Sequence, residues 1–406
     1  MKINHNGVTE AKGFFACGRY TGLKNKRRDL AIIYSKVPAT YAGTFTQSLV
    51  KGAPVIRNIE VLKNKSLIQG IVINSGHANS CTGHQGIINN QKMADSLATH
   101  LKIPVESVLT ASTGVIGVQI PIDIIEEGIE KSVHFLTNDR QGAIDAASAI
   151  MTTDTVSKEV SGQVIIGGKV VRIGAMAKGS GMIHPNMATM LTFITTDVDI
   201  EQHLLQKALL DSVQDTYNMI SVDGDTSTND MVFVLANGLA ENNKITEENE
   251  DYDAFKKALD LINRELAIMI VRDGEGATKT LEVKIYGAKT KQDARLLARS
   301  IVNSNLVRTA FFGEDANWGR ILCAMGYSGA MFNPDAVSLM LKSRFGSIRL
   351  VEEGIPLSFN EEVAAEVLKG NSVEIILVLK DGHADAEAWG CDMSYDYIRI
   401  NGDYRT

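Results

Sequence analysis

A glycine-rich loop that runs directly into an apolar strand is the feature that most constrains this fold. Residues 178–191 read Lys-Gly-Ser-Gly-Met-Ile-His-Pro-Asn-Met-Ala-Thr-Met-Leu, and the apolar, β-branched run Met190–Val198 overlaps their end. The two glycines permit backbone angles closed to other residues, and the proline fixes one more. The pattern therefore predicts a tight loop that delivers Thr189 to the first position of a buried strand.

Thr189 and the residue before it have the chemistry to cut the chain between them. The small Ala188 leaves room for the Thr189 hydroxyl to attack the Ala188 carbonyl, which would convert the amide to an ester. Hydrolysis would leave Thr189 as a new N-terminus whose α-amine, with a pKa near ~8, accepts a proton at neutral pH. On local chemistry alone, a loop-to-strand junction whose threonine merely suits a strand is the commoner explanation.

The length and charge of the chain exclude several classes of protein. A chain of 406 residues with a net charge of -7 and a pI near 5.7 lacks the basic footprint of a nucleic-acid-binding protein. Its dense basic cluster, residues 24–28, is followed by Asp29 and predicts a solvated loop. The length predicts two lobes or one large α/β unit.

Neither a membrane segment nor a metal site is indicated by the sequence. No apolar run reaches transmembrane length, and the N-terminus lacks the apolar core of a secretory signal. The histidines form no HExxH motif. Separated cysteines without a CxxC pair predict reduced thiols in the cytoplasm. They are Cys17, Cys81, Cys323 and Cys391.

Polar, glycine-containing loops follow several predicted strands, and site residues often lie on such loops. Residues 74–83 read Asn-Ser-Gly-His-Ala-Asn-Ser-Cys-Thr-Gly, which favours a site-lining loop over a surface turn. Thr113 and Gly114 could offer a hydroxyl and a backbone N–H to an oxyanion, although a plain turn explains them equally well. The loop Asp223–Asp230 lacks the central glycine and terminal glutamate of a calcium loop, so a cation site is rejected.

The spacing of apolar residues predicts a mixed α/β fold. The helices expected from a period of 3.6 are Gly86–Leu101, Ile122–Phe135, Gln141–Met151, Ile200–Tyr217, Tyr252–Arg272 and Lys291–Val302. The strands expected from β-branched or alternating runs are Leu30–Tyr34, Ala42–Thr46, Ile68–Ile73, Val108–Thr110, a hairpin over Gln163–Ile173, Met190–Val198, Met231–Ala236, Leu281–Tyr286, Leu306–Phe312, Ser347–Leu350 and Val373–Leu379.

Taken together, these stretches resemble the ornithine acetyltransferase / glutamate N-acetyltransferase family of arginine biosynthesis over essentially the whole chain. The segment 177–190 is long and particular to that family. His77 departs from the asparagine expected in its loop. The matching segments, in order, are residues 74–83, 112–117, 152–155, 177–190, 223–230, 272–278, 315–320 and 389–392.

This resemblance implies a fold and a processing event. The implied fold is an αββα sandwich with two lobes, similar to the N-terminal-nucleophile hydrolases but with different connectivity. The precursor would cut itself between Ala188 and Thr189, giving an alpha chain of residues 1–188 and a beta chain of residues 189–406. Two copies of each would associate as a heterotetramer.

The reaction implied by the resemblance is acetyl transfer from N2-acetylornithine to glutamate, with Thr189 as nucleophile. Thr113 and Gly114 would form the oxyanion hole. Some members of the family also use acetyl-CoA as donor, and no bound cofactor or metal is expected. The residues expected to contact the substrate amino acid are Thr152, Lys178, Thr189, Glu275, Asn401 and Thr406, with Lys178 suited to a carboxylate and Glu275 to an ammonium group.

Two other functions remain open from the sequence. A hydrolase of the related self-processing aminopeptidase group would pass the acyl group to water instead of to an amine. A binding protein without catalysis would keep the loops and leave the Ala188–Thr189 bond intact. A nucleotide-binding loop is not indicated, because neither GxGxxG nor GxxxxGK[ST] stands at a strand-to-helix turn.

Overall fold

The computed structural model describes residues 1–64, 67–184 and 190–403. Within that part of the chain, no helix is long and apolar enough to cross a membrane. The strands are β1 Lys2–Asn4, β2 Phe14–Arg19, β3 Leu30–Phe45, β4 Ile68–His77, β5 Val108–Val115, β6 Lys158–Ile166, β7 Lys169–Lys178, β8 Leu191–Thr196, β9 Ile220–Ser221, β10 Met231–Ala236, β11 Thr280–Ala288, β12 Ser338–Ser343, β13 Gly346–Glu352, β14 Ile355–Pro356, β15 Ser372–Val378 and β16 Ala384–Cys391. The α-helices are α1 Ala53–Lys63, α2 Gly83–Leu101, α3 Ile122–Ser132, α4 Arg140–Ala149, α5 Gln202–Asp215, α6 Glu250–Arg272, α7 Lys291–Asn303, α8 Asn305–Phe312, α9 Trp318–Gly326, α10 Glu361–Leu368 and α11 Tyr395–Asp403.

Strand β3 joins two groups of strands into one hydrogen-bonded network. Its first half pairs with β2 and β4, and its last six residues pair with β10. The register between β3 and β4 shifts between Tyr34 and Ala39, which is where β3 passes from one group to the other. Among the described residues the strand order is β1-β6-β7-β8-β10-β3-β4-β5, with β2 on the free side of the first half of β3.

The two groups of strands face each other across a buried apolar layer. Side chains from β8 and β10 meet side chains from β3, β4 and β5 in one cluster. Phe233 lies at its centre, with edge-on ring contacts to Tyr41, Phe45 and Phe193 at centroid distances of 5.6, 6.0 and 5.8 Å. Aromatic edge contacts of this kind add to the stabilisation from burial. The strands therefore form two stacked sheets.

Helices cover both outer faces of the stacked sheets. Helices α5 and α6 pack on the β6-β7-β8-β10 side, whereas α2 and α3 pack on the β2-β3-β4-β5 side. In β10, alternate residues pack between the two sheets and under the covering helices. The sequence Met-Val-Phe-Val-Leu-Ala is therefore apolar on both faces of the strand. A strand buried on both sides reads as a continuous apolar run. The layers are helix, sheet, sheet and helix, and the expected αββα sandwich is confirmed.

A second lobe follows the long helix α6. Its sheet has the order β14-β13-β12-β15-β11-β16-β9, and α7 packs against β11 and β16. Leu281, Val283 and Ile285 of β11 enter the same apolar cluster as α6 and α7, so the core continues from one lobe into the other. The lobe places the turn after α6 and the helix α11 beside the sandwich.

One predicted strand was wrong: Leu306–Phe312 forms the helix α8. The Ser304 side chain caps this helix by accepting a hydrogen bond from the Val307 N–H. The buried Val307, Ala310 and Phe311 are spaced at helical intervals. The apolar run resembled a strand in composition, but the serine cap was the signal that would have identified a helix.

Candidate active site

Six of the predicted site residues line one cavity of about 190 Å³. They come from the ends of β5 and β7, from the loop after α4, from the turn after α6 and from α11. The predicted Ala188, Thr189 and Thr406 lie outside the described residues. The complete lining is Ala78, Thr113, Gly114, Ile116, Thr152, Thr153, Lys178, Gly181, Met182, Met190, Leu191, Ser227, Thr228, Asn229, Asp230, Glu275 and Asn401.

The pair Thr113–Gly114 lies where β5 runs beside β4. Gly114 has a φ of +127°, and a Cβ at this position would lie 2.3 Å from the carbonyl carbon of Gly76. Only glycine fits this backbone approach. The Thr113 Oγ1 accepts a hydrogen bond of 3.3 Å from the Lys178 Nζ. Because an ammonium group only donates, the hydroxyl hydrogen of Thr113 is free to donate to another acceptor.

Lys178 brings positive charge to the cavity at the end of β7. The residue opposite it in the β7–β8 ladder is Leu191, so Lys178 lies close to the start of β8. Asp154 is buried nearby, and although burial opposes this, Lys178 and Lys158 lower the pKa of its carboxyl to about 2. Thr152 joins the same arrangement, since its N–H donates to the Asp154 carboxylate at 2.9 Å.

Negative charge enters the cavity from Glu275, in the turn after α6. Its side chain is 9% exposed and accepts a hydrogen bond of 2.8 Å from the Asn401 Nδ2. A Cβ at Gly181 would lie 2.3 Å from the Glu275 carboxylate, so the glycine leaves the space that this carboxylate occupies. The Glu275 N–H also donates to the Ser180 carbonyl at 2.9 Å. The cavity thus offers a cation and an anion on separate segments.

A buried ion cluster holds these segments in place. Lys158 is fully buried, and its Nζ lies 2.7 Å from Asp154 and 2.6 Å from Asp273. Asp154 also accepts from the Gly179 N–H at 2.7 Å. Asp273 accepts from the Thr155 N–H at 3.1 Å and from the Thr155 hydroxyl. The cluster therefore joins the loop before β6, the glycine loop after β7 and the turn that carries Glu275.

The loop Asp223–Asp230 has a structural role and a lining role that sequence reasoning missed. The Asp223 carboxylate accepts from the N–H groups of Met182 and Ile183 at 2.6 and 2.9 Å. These bonds fix the glycine loop that precedes residues 185–189. Residues 227–230 then form one wall of the cavity. In the sequence this motif matched the family and was rejected as a calcium loop, but no site residue was predicted from it.

Two buried residues of this wall line the cavity together with Met190 and Leu191, at the described start of β8. Asn229 donates from its Nδ2 to the carbonyls of Ala78 and Ser112 at 2.5 and 2.9 Å, which joins the wall to β4 and β5. Asp230 is 3% exposed, and its Oδ2 has no hydrogen-bond partner among the described residues. Burial raises the pKa of the Asp230 carboxyl well above its usual value.

The loop after β4 contributes to the site through Ala78, which lines the cavity. Residues 74–77 of the predicted loop instead form the end of β4, where the Asn74 Nδ2 donates to the His77 carbonyl at 2.9 Å and the Asn74 Oδ1 accepts from Ser112 at 2.6 Å. Burial lowers the pKa of the His77 ring, which favours its neutral form. The described residues contain no group of three or more His, Cys, Asp or Glu side chains that could hold a metal ion.

Comparison with known proteins identifies relatives of nearly full length. The sequence model of the ArgJ family matches residues 16–406. A protein of Thermotoga neapolitana named arginine biosynthesis bifunctional protein ArgJ is 53% identical over 97% of this chain and 99% of its own. A protein of the same name from Caldanaerobacter subterraneus subsp. tengcongensis is 52% identical over the whole of both chains. The crystal structure of the Bacillus halodurans ArgJ bifunctional protein matches with a TM-score of 0.51 and 48% identity, covering 53% of this chain and all of the solved chain.

Removing Lys158 should destabilise the protein strongly. Lys158→Met removes the one buried cation that contacts both Asp154 and Asp273, and breaking such a buried pair costs about 3–5 kcal/mol. Lys63→Met is the matched control, because the Lys63–Glu60 pair is exposed and should contribute less than about 1 kcal/mol. Urea unfolding of both variants measures the difference. Equal losses in the two variants would contradict a structural role for the buried cluster.

Proposed function

The chain belongs to the ArgJ family, and on that basis we propose that it transfers an acetyl group from N2-acetylornithine to glutamate. The observation that carries the proposal is the convergence of Thr113, Gly114, Thr152, Lys178, Glu275 and Asn401 on one cavity. The relatives' name, an arginine biosynthesis bifunctional protein, supports the same reaction. The acetyl group would be held as an ester on Thr189.

The first step in this proposal is cleavage of the chain between Ala188 and Thr189. Thr189 is bonded to Met190, which lines the cavity, and the preceding loop is fixed through Asp223. The share of this chain that the solved Bacillus halodurans chain matches, 53%, is close to the share that lies after Ala188. Cleavage would produce a free α-amine on Thr189 that acts as the base for its own hydroxyl.

Charge complementarity supports an amino acid as the substrate. N2-acetylornithine carries an α-carboxylate and a side-chain ammonium group. Lys178 offers a cation for the carboxylate, and Glu275 offers an anion for the ammonium group, with Asn401 holding the Glu275 carboxylate. Pairing at both ends would orient the acetyl group between them, toward the beginning of β8.

Acetyl transfer then proceeds in two matched halves. The Thr189 α-amine takes the Oγ proton as Oγ attacks the acetyl carbonyl, and the negative oxygen is stabilised by the Thr113 hydroxyl and the Gly114 N–H. The C–N bond breaks, the ester forms, and the proton passes to the departing amine of ornithine. Glutamate enters the same site, its α-amine attacks the ester, and the proton returns to Oγ as acetylglutamate leaves.

The proposal includes features that go beyond the reaction itself. We propose that acetyl-CoA is a second donor, which would account for the word bifunctional in the relatives' name. No bound cofactor is needed, because both donors bring their own acetyl group. The two pieces of the chain would remain together, two of each in the assembly. The activity would be cytoplasmic, where the four separated cysteines stay reduced.

A kinetic and mass-spectrometric experiment tests the reaction. Because donor and acceptor use one site in turn, double-reciprocal plots with N2-acetylornithine and glutamate should be parallel. Incubation with N2-acetylornithine alone should add one acetyl mass to the fragment that begins at Thr189, and glutamate should remove it. Intersecting plots without an acetylated fragment would contradict the ester. Release of acetate as the main product would indicate a hydrolase instead.

Thr189→Ala should give a single uncut chain without transferase activity. Alanine lacks the hydroxyl that attacks the preceding carbonyl, so neither the cut nor the ester can form. Denaturing mass spectrometry should find one species in the variant and the pieces 1–188 and 189–406 in the unmodified protein. Thr192→Ala, three residues further along the chain, is the control and should still be cut. The same two pieces in Thr189→Ala would contradict the assignment.

Thr113→Ala should lower kcat about 10²–10³-fold, the usual effect of removing one oxyanion donor. The KM for N2-acetylornithine should change little, because the proposed pairing with the substrate is made by Lys178 and Glu275. Thr113→Ser retains the hydroxyl and should recover most of the lost rate. Steady-state kinetics of both variants provide the measurement. A normal kcat with a raised KM would mean that Thr113 binds the substrate.

A further inference from the structure

A second cavity, a groove of about 880 Å³, lies beside the active-site cavity. Thr153 lines both spaces, so the two are neighbours across the loop after α4. The groove is lined mainly by the segment 24–28 and by the residues that follow α4. Its lining is Arg19, Tyr20, Lys24, Lys26, Arg27, Arg28, Ser148, Met151, Thr153, Asp154 and Thr155. Five of these residues are cationic, and the proposed transfer from N2-acetylornithine uses none of them.

Asp29 binds the backbone of the basic segment that precedes it. Its carboxylate is fully buried and accepts hydrogen bonds from the N–H groups of residues 21–24 and from the Thr21 hydroxyl, at distances of 2.8 to 3.1 Å. These bonds fold the loop around the carboxylate through its backbone, and the cationic side chains of the loop line the groove. The expectation of a merely solvated loop is therefore incomplete, because the loop is built around an internal anion.

The cations of the groove are only partly paired with acids. Arg28 lies 2.9 Å from Asp145. Lys26 and Arg27 are exposed and have no ion pair or hydrogen bond within the described ranges. The acid in the lining, Asp154, is already bound to Lys158 inside the protein. The lining of the groove next to the active-site cavity thus has five cations and one acid, an excess of positive charge that suits a ligand with several negative charges.

Lys24 connects the groove to the active site. A Cβ at Gly76 would lie 3.1 Å from the Lys24 Cγ, so the lysine stem packs on the glycine that also contacts Gly114. The Lys24 Nζ donates to the Met151 carbonyl at 2.7 Å, immediately before Thr152. Burial lowers the pKa of Lys24 to about 8, so an anion placed beside it would stabilise its charged form.

We propose that this groove binds the phosphate groups of a nucleotide-linked acetyl thioester, acetyl-CoA, and that its thioester arm reaches the active-site cavity past Thr153. The inference rests on the proposed function, because it gives the second donor a place to bind. N2-acetylornithine carries no phosphate and would leave the groove empty. Lysine and arginine side chains that lack acidic partners are the groups that bind phosphate most readily.

Charge removal at the groove tests the proposal. In Lys26→Gln/Arg27→Gln the KM for acetyl-CoA should rise about tenfold or more, since each charged hydrogen bond contributes appreciably to affinity. Transfer from N2-acetylornithine to glutamate should keep its KM and kcat. The matched control is Lys92→Gln/Lys102→Gln, which removes two exposed lysines, one of them with a left-handed backbone like that of Lys26. An unchanged KM for acetyl-CoA in the groove variant would overturn the proposal.

A shortened donor isolates the contribution of the phosphates. S-acetylpantetheine has the thioester arm without the nucleotide. The unmodified protein should use it with a much lower kcat/KM than acetyl-CoA, and the groove variant should lose most of that difference. Adenosine 3′,5′-bisphosphate should inhibit the acetyl-CoA reaction competitively, more weakly at high salt. Equal use of the two thioesters by the unmodified protein would contradict phosphate binding.

The outcomes separate this inference from the proposed function. A protein that transfers acetyl from N2-acetylornithine but not from acetyl-CoA keeps the proposed acetylornithine reaction and overturns the groove assignment. A protein that transfers from neither donor fails the proposed function and the inference together. A groove variant in which both donors lose activity equally would show that the loop supports the whole active site, which also overturns a dedicated thioester site.

Discussion

The buried contact between Lys158 and the two carboxylates of Asp154 and Asp273 is the constraint on which the site depends. Burying the charge of a lysine costs folding free energy unless the charge is paired, and here the carboxylates of two aspartates pair with it. The carboxylates in turn accept hydrogen bonds from the segments that carry Thr152 and Gly179. A polar network of this kind fixes backbone that would otherwise move independently, and the cavity is formed between the fixed segments.

The cavity lies where the buried central strands end and the loops that line it begin. Strands β7, β8 and β10 are buried between two apolar layers, so their registers are determined by side chains on both faces. Beyond these ends, glycines at 114 and 181 let backbone and carboxylate approach more closely than any side chain would permit. The cavity thus combines a firmly packed base with walls made of loops.

The sequence predicts much of the architecture, and each wrong or missing prediction has a specific physical cause. The runs around Ile71, Phe193 and Phe233 are apolar enough to predict central strands, and five of the six described residues predicted for the site, all except Asn401, stand in recognisable motifs. Lys158 was not predicted to be buried, because its partner Asp273 is 115 residues away. The wall at 227–230 was missed because local spacing does not show which loops meet. The helix α8 was missed because composition was weighed above its serine cap.

The strand order limits when the proposed cut after Ala188 could take place. Strands β8 and β10 follow residue 188 in the sequence, yet they lie between β7 and β3, which precede it. Neither piece could complete the sandwich alone, since each would present an open edge and an uncovered apolar face to water. A cut after Ala188 must therefore come after folding, and the severed pieces would stay joined by two hydrogen-bonded ladders and a shared core. A molecule cut in this way would be easier to make from one gene product than to rebuild from its separated parts.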